Sequence, residues 1–259
     1  MKRATLGASV LLCLANAGSA RAADAWVDRP STLPRGNFAF DVGLGVGTAP
    51  RSDLVATSYT GAALNLEASW GILETFEVGL RTAARLDFDG RLLRADYYAR
   101  TYDLETYGTR IGNPANPEAR ARFAFLRLPP VELAGEVRIY LPIETGSHEG
   151  VMFGVPVAVH LDHRVRIDGG VYVPILLYNP VITAVSIPAH VWFQATEHVW
   201  AGPLLGVTFL RGGPNYVVGA AFGVQVRSWL DIRLQIVDPA VNDVVDRVGL
   251  GIGAEFRIE

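Results

Sequence analysis

The sequence predicts an all-β fold: a single closed antiparallel transmembrane β-barrel of twelve strands. Three observations carry that reading. Apolar and small-or-polar residues alternate with a period of two, over segments of about nine to twelve residues, from residue 37 to the end of the chain. Short and long connections alternate between these segments. An export signal stands in front of them.

The export signal is read first. A short basic head ends at Arg3, an apolar core covers residues 4–15, and Ala20-Arg21-Ala22 supplies an A-x-A cleavage site, so residues 1–22 read as a signal peptide removed at about Ala22. A retained membrane anchor is the alternative, but the apolar core is short for a spanning helix. Cys13 would suggest lipidation, except that bulky Leu12 stands where that processing wants a small residue. Residues 23–36 are then a periplasmic N-terminal segment, and 37–259 the barrel.

Removing the leader changes the composition. The only cysteine and the only lysine, Cys13 and Lys2, leave with it. Disulfides and thiolate chemistry are therefore not expected. Of the 23 basic residues 20 remain, all arginine, against 26 acids, for a net charge of about −6. A nucleic-acid partner would need a positive footprint, so none is expected.

The strands follow in order. The first, 37–48, sets Phe38, Phe40, Val42, Leu44 and Val46 against Asn37, Ala39, Asp41, Gly43 and Gly45. The second, 60–70, puts Asn65 and Glu67 on the polar parity and ends in Trp70. The third, 75–87, sets Phe76, Val78, Leu80, Thr82, Ala84 and Leu86 against Glu77, Gly79, Arg81, Ala83 and Arg85. The fourth, 118–127, is the weakest and carries Arg122 inward. The fifth, 132–142, sets Leu133, Val137, Ile139 and Leu141 against Glu132, Ala134, Glu136, Arg138 and Tyr140. Strands at 150–161, 164–175, 185–194, 198–208, 216–226 and 230–238 continue the alternation. The last, 247–258, sets Val248, Leu250, Ile252, Ala254, Phe256 and Ile258 against Arg247, Gly249, Gly251, Gly253, Glu255 and Arg257. Pro156, Pro174, Pro188 and Pro203 fall inside these strands, where bulges or kinks are expected to absorb the missing ladder donors.

Connections support the count. Those near 71–74, 128–131, 162–163, 195–197 and 227–229 are tight, and those near 49–59, 88–118, 143–149, 176–184, 209–215 and 239–246 are longer. Short turns belong on the periplasmic side and long loops outside, which places both termini in the periplasm. Ten strands is the alternative if the fourth and a neighbour are misread. A soluble β-sandwich would also alternate, with its apolar face inward, but its strands average five or six residues. Segments of nine to twelve match the tilted span of a hydrocarbon core.

Trp70, Phe76, Phe193, Trp229 and Phe256 share the outward parity near the periplasmic strand ends, where an interfacial aromatic belt is expected. The long connection 88–118 holds Tyr97, Tyr98, Tyr102 and Tyr107 among arginines and acids. Three fates are open to it: constricting the pore, forming an external ligand surface, or extending its two strands.

The candidate lumen-lining residues are Glu67, Glu77, Arg81, Arg85, Arg122, Glu136, Arg138, Tyr140, His160, Arg166, Asp168, Tyr172, His190, Gln194, Arg233, Gln235 and Glu255, with Asp162, Arg164 and Arg257 on the same parity. Both signs are abundant. Such an interior either lines a water-filled channel or pairs with itself into a filled, non-conducting barrel. Arg81, Arg85, Arg122 and Arg138 would favour anions locally, opposed by their acidic neighbours.

No catalytic group is expected. His160 and Asp162 share a face but have no identified nucleophile, and Ser69 and Ser186 have no supporting spacing. No metal or cofactor is expected either, since the five histidines form no ligand pattern. The glycine runs at 43–47 and 249–253 keep a strict period of two, wrong for a turn over phosphates.

The stretch Ala62-Ala63-Leu64-Asn65-Leu66-Glu67-Ala68-Ser69-Trp70-Gly71-Ile72, followed by Phe76-Glu77-Val78-Gly79-Leu80, resembles a hairpin of the Gram-negative outer-membrane barrels that include the phenol-degradation-pathway outer-membrane proteins. That resemblance implies a channel or transporter for small polar or amphipathic molecules. It also implies outer-membrane lipid and the barrel assembly machinery as partners. Barrels of this kind tend to end in an aromatic residue. Here the chain closes Phe256-Arg257-Ile258-Glu259, so the assembly signal is displaced. The alternatives are a structural or adhesive barrel with a plugged lumen and an outer-membrane lipid hydrolase.

Overall fold

A computed structural model describes residues 25–49, 59–85, 117–141, 149–177, 182–210, 213–238 and 249–258. The predicted leader, residues 88–116 of the long connection and Arg247 lie outside the described residues. Among the described residues there are thirteen strands. They are β1 (Phe38–Ala49), β2 (Tyr59–Leu73), β3 (Phe76–Arg85), β4 (Glu118–Leu128), β5 (Val131–Tyr140), β6 (Gly150–Asp162) and β7 (Val165–Leu176). They continue as β8 (Ile182–Thr183), β9 (Val185–Thr196), β10 (Val199–Leu210), β11 (Gly213–Arg227), β12 (Leu230–Asp238) and β13 (Gly249–Ile258).

Twelve strands form the ring. Sequence neighbours pair throughout, β7 pairs with both β6 and β9, and β1 closes onto β13. The closing ladder runs in unbroken antiparallel register from Phe38↔Ile258 to Gly47↔Gly249. The thirteenth strand, β8, is a two-residue addition beside β7. Closure matters because lipid offers the backbone no hydrogen-bond partner, so a spanning sheet must have no edge.

The two faces sort by chemistry. Leu80, Phe125, Phe153 and Ile252 point out of the ring and are 50–55% exposed, whereas Glu136 and Arg122 point in and are 2% and 4% exposed. Charges are thus more enclosed than leucines, the reverse of a water-soluble domain.

The four in-strand prolines leave the ring intact for a common reason. Pro156 pairs with Gly170 on β7 and falls in a β5–β6 gap between Leu133↔Val157 and Glu136↔Gly154. Pro188 pairs with Gly206 on β10 and falls in a β7–β9 gap between Gly169↔Ala189 and Tyr172↔Ser186. Pro203 pairs with Ala220 on β11 and falls in a β9–β10 gap. Pro174 pairs with Met152 on β6, beyond the last β7–β9 pair. A strand residue directs its N–H to one neighbour only, so each proline interrupts one ladder and keeps the other. The expected bulges lie elsewhere. Register shifts at Gly71/Leu73, Ala124/Leu126, His160/Asp162, Val199/Trp200 and Gln225/Arg227 all adjoin the short turns.

One connection differs from its expected length. A loop was expected over 209–215, but the β10–β11 ladder continues to Leu210↔Gly213, leaving two residues between the strands. Gly213, the first residue of β11, has φ +124°, a conformation a side chain disfavours and glycine accepts.

Candidate functional site in the barrel lumen

The interior has two walls of different chemistry and a segment lying between them. The first wall is ionic. Register places Glu77 opposite Arg122 and Arg122 opposite Glu136, and the two-residue period puts Arg138 beside Glu136. Arg122 Nε donates to Glu136 Oε2 at 2.7 Å, and Arg138 Nε to Glu136 Oε1 at 2.8 Å. Arg138 also reaches Glu118 at 3.3 Å. Arg120 Nη2 donates to Ser69 Oγ at 2.8 Å and to Glu77 at 2.5 Å, with Glu67 3.1 Å away. Across the β12–β13–β1 seam, Arg233 pairs with Asp41 and, at 3.0 Å, with Glu255. Arg257 Nε donates to Glu255 at 2.6 Å. Enclosed charges of this kind persist because each is paired and hydrogen-bonded.

The second wall, β6–β7–β9–β10–β11, is aromatic and apolar. Trp192, Trp200, Met152, Leu204 and Tyr172 point inward and are buried. His190 stacks on Trp192 with ring centroids 3.5 Å apart. Trp192 Nε1 donates to Asp168 Oδ2 at 2.9 Å, and Arg166 Nε donates to the other carboxylate oxygen at 2.7 Å. The Trp200 ring lies against β11 at Gly223, where a Cβ would sit 2.2 Å from it, so glycine there makes the room.

Residues 25–36 lie inside the ring at the end that carries the short turns. By sequence alone residues 23–36 are assigned only as a periplasmic N-terminal segment; residues 25–36 cross the lumen from one wall to the other. Trp26, in the 3-10 turn Trp26–Asp28, packs against Trp192 and Trp200 at 4.5 and 5.5 Å, with the Arg166 guanidinium 5.1 Å over its ring. The Val27 amide donates to Gln194 Oε1 at 3.3 Å, and its carbonyl meets His160 Nδ1 at 2.7 Å. Arg29 grips Asp231 with both terminal nitrogens, at 2.5 and 3.3 Å. Burial lowers the Arg29 pKa, Arg257 lowers it further, and Asp231 opposes both. Arg166 donates to the Arg29 carbonyl at 2.6 Å and Arg122 to the Ser31 carbonyl at 2.8 Å. The Ser31 amide donates to Glu132 at 2.8 Å and the Leu33 amide to Glu77 at 2.9 Å. At the far wall the Gly36 amide donates to the Gly71 carbonyl at 2.7 Å. Any Cβ at Gly71 would lie 2.1 Å from the Pro34 carbonyl oxygen, so glycine is required where the segment passes.

Two cavities flank this segment. One, of about 120 Å³, faces the β13–β1–β2–β3–β4 wall and is lined by Asp41, Glu67, Glu77, Arg120 and Glu255 among others. The second, of about 70 Å³, lies under Tyr172, His190 and Trp192. Trp26, Ser31, Arg122 and Arg166 border both.

Of the candidate lumen residues, Glu77, Arg81, Arg122, Glu136, Arg138, Tyr140, Arg166, Tyr172, His190, Gln194, Arg233, Gln235 and Glu255 are buried in the interior. Glu67, His160 and Asp168 are partly buried on the same face. Arg85 lies on β3 opposite Ala63, but its side chain is outside the described residues. Asp162 and Arg164, placed inward by parity, are exposed because the turn spans 163–164 and a register shift precedes it. The His160–Asp162 pair therefore dissolves: His160 meets Val27 and Glu132, while Asp162 accepts from the Arg164 amide at 2.6 Å. The hydroxyls of Ser69 and Ser186 are engaged by Arg120 and by Thr208. Trp70, Phe76, Phe193, Trp229 and Phe256 all lie near the short turns, with Trp70 and Phe193 exposed and Trp229 stacked on Phe256 at 6.2 Å. Sequence reasoning missed Arg120, Glu118, Trp192, Trp200, Trp26 and Arg29 as interior residues. Parity alone would have found the first four.

No protein-family model and no curated protein matches the sequence. Solved structures do match in fold. An outer membrane channel from Pseudomonas putida F1 superposes with TM-score 0.60 at 10% identity, covering 89% of this chain and 99% of that one. The KdgM porin gives 0.59 at 5% identity, covering 85% and 99%. The NanC porin gives 0.58 at 7% identity, covering 85% and 100%. At these identities the likeness establishes the barrel architecture.

Proposed function

We propose that this chain is an outer-membrane channel for small polar or amphipathic molecules, with the short turns and both termini on the periplasmic side. The observation that carries this reading is the inversion of faces around a closed twelve-strand ring: apolar side chains to the outside, charges of both signs to the inside. The shared fold with outer-membrane porins and a channel supports it. So does the loose resemblance of the β2–β3 hairpin to the phenol-degradation group. Trp70, Phe76, Phe193, Trp229 and Phe256 would sit at the headgroup boundary near the periplasm. Outer-membrane lipid and the barrel assembly machinery would be its partners.

A filled structural barrel is the second reading, favoured by the segment 25–36 across the lumen. Conductance in planar bilayers separates the two. A channel gives discrete current steps above the bare membrane, in the intact chain or once residues 25–36 are removed. A correctly inserted barrel that gives none in either form is structural.

A further inference from the structure

We propose that residues 25–36 are a displaceable gate whose withdrawal joins the two lumenal cavities into one path. This rests on the channel reading and names its regulation. Four observations lead there. First, the segment enters no ladder of the ring; its backbone bond to a strand, from the Gly36 amide to the Gly71 carbonyl of β2, lies at its last residue, beside the start of β1. Second, Trp26 and Ser31 border both cavities together with the wall residues Arg122 and Arg166, so this segment forms part of what separates them. Third, the wall groups that hold it are polar. Glu77, Glu132 and Gln194 accept its amides, Arg122 and Arg166 donate to its carbonyls, and Asp231 binds Arg29. On withdrawal all of them would face a water-filled lumen, so protein partners are exchanged for solvent and no charge is stranded in a dry interior. Fourth, the apolar hold is concentrated at one point, Trp26 between Trp192 and Trp200. A segment fixed by exchangeable bonds and a single aromatic clamp has two discrete positions rather than a continuum.

The test compares the full chain, a variant lacking residues 25–36, Trp26→Ala, and the pair Ser31→Cys with Glu132→Cys, each inserted in planar bilayers with folding checked by heat-shifted gel migration. The chain's one cysteine, Cys13, is replaced by alanine in this variant, so the introduced pair is unique. The intact chain should open briefly, the deletion should raise time-averaged current several-fold, and Trp26→Ala should fall between them. Oxidation of the cysteine pair should hold the channel shut and reduction release it. Equal currents from the intact and deleted chains would overturn the gate and leave the channel standing. An oxidised pair that conducts as freely as the reduced one would also overturn it. Folded deletion variants with no current at all would overturn both readings.

Discussion

The β3–β4–β5 wall and the β9–β10–β11 wall are built on the same two-residue period, yet they hold the interior in opposite ways. On the first, Arg120, Arg122 and Arg138 are braced by Glu77, Glu118 and Glu136 through directional bonds of 2.5–3.3 Å. On the second, Trp192, Trp200 and Leu204 fill space by contact, with Gly223 leaving room for a ring. The ionic wall needs every partner, because an enclosed charge without one is costly. The aromatic wall needs volume, because a void forfeits contacts and hydrophobic burial together. Residues 25–36 use both: their backbone bonds to ionic groups, and Trp26 stacks into the aromatic side.

This contrast can be broken at several points. The largest effect is expected from Trp200→Ala, which empties the aromatic wall and removes half of the Trp26 clamp. Urea unfolding in detergent should show a loss of about 3–5 kcal/mol, the usual range for a buried tryptophan truncation. Next is the outer face: Leu234→Arg places a charge in the lipid-facing band and should cost about 2–4 kcal/mol near the bilayer midplane, measured by refolding into lipid vesicles. On the ionic wall, Arg122→Ala should cost about 1.5–3 kcal/mol, the range for hydrogen bonds to charged groups, because Glu136 keeps Arg138. A double-mutant cycle with Glu136→Gln should then show strong coupling, whereas a cycle between Arg138 and Leu204, on opposite walls, should be additive. The smallest effect is expected at the turn. His163 is exposed and meets Asp28 at 3.3 Å, so His163→Ala should leave the unfolding midpoint unchanged.

Much of the ring was legible in the sequence because period two is a property of consecutive residues. Strand limits agree within about three residues with those observed, from β1 at Phe38–Ala49 to β13 at Gly249–Ile258. The candidate site was legible in part. Charged side chains on the inward parity were recognised, since a charge in a membrane strand has few other places to go. Trp192 and Trp200 were overlooked because large apolar residues were assigned to the lipid face, although Trp192 shares the parity of His190 and Gln194 and Trp200 pairs with Gln194 across the ladder. The β10–β11 connection was read as longer than it is, since turn residues alone do not say how far a ladder continues.

Local chemistry in the chain therefore determined the fold class, the strand count and the sign of each face, because alternation and turn spacing act between near neighbours. Only the tertiary structure decided what fills the barrel. Trp26 meets Trp192, Arg29 meets Asp231 and Arg122 meets Ser31 across separations of 91 to 202 residues, pairings that exist only once the ring has closed. A period of two can assign a side chain to the interior, but closure alone determines which other side chain it will find there.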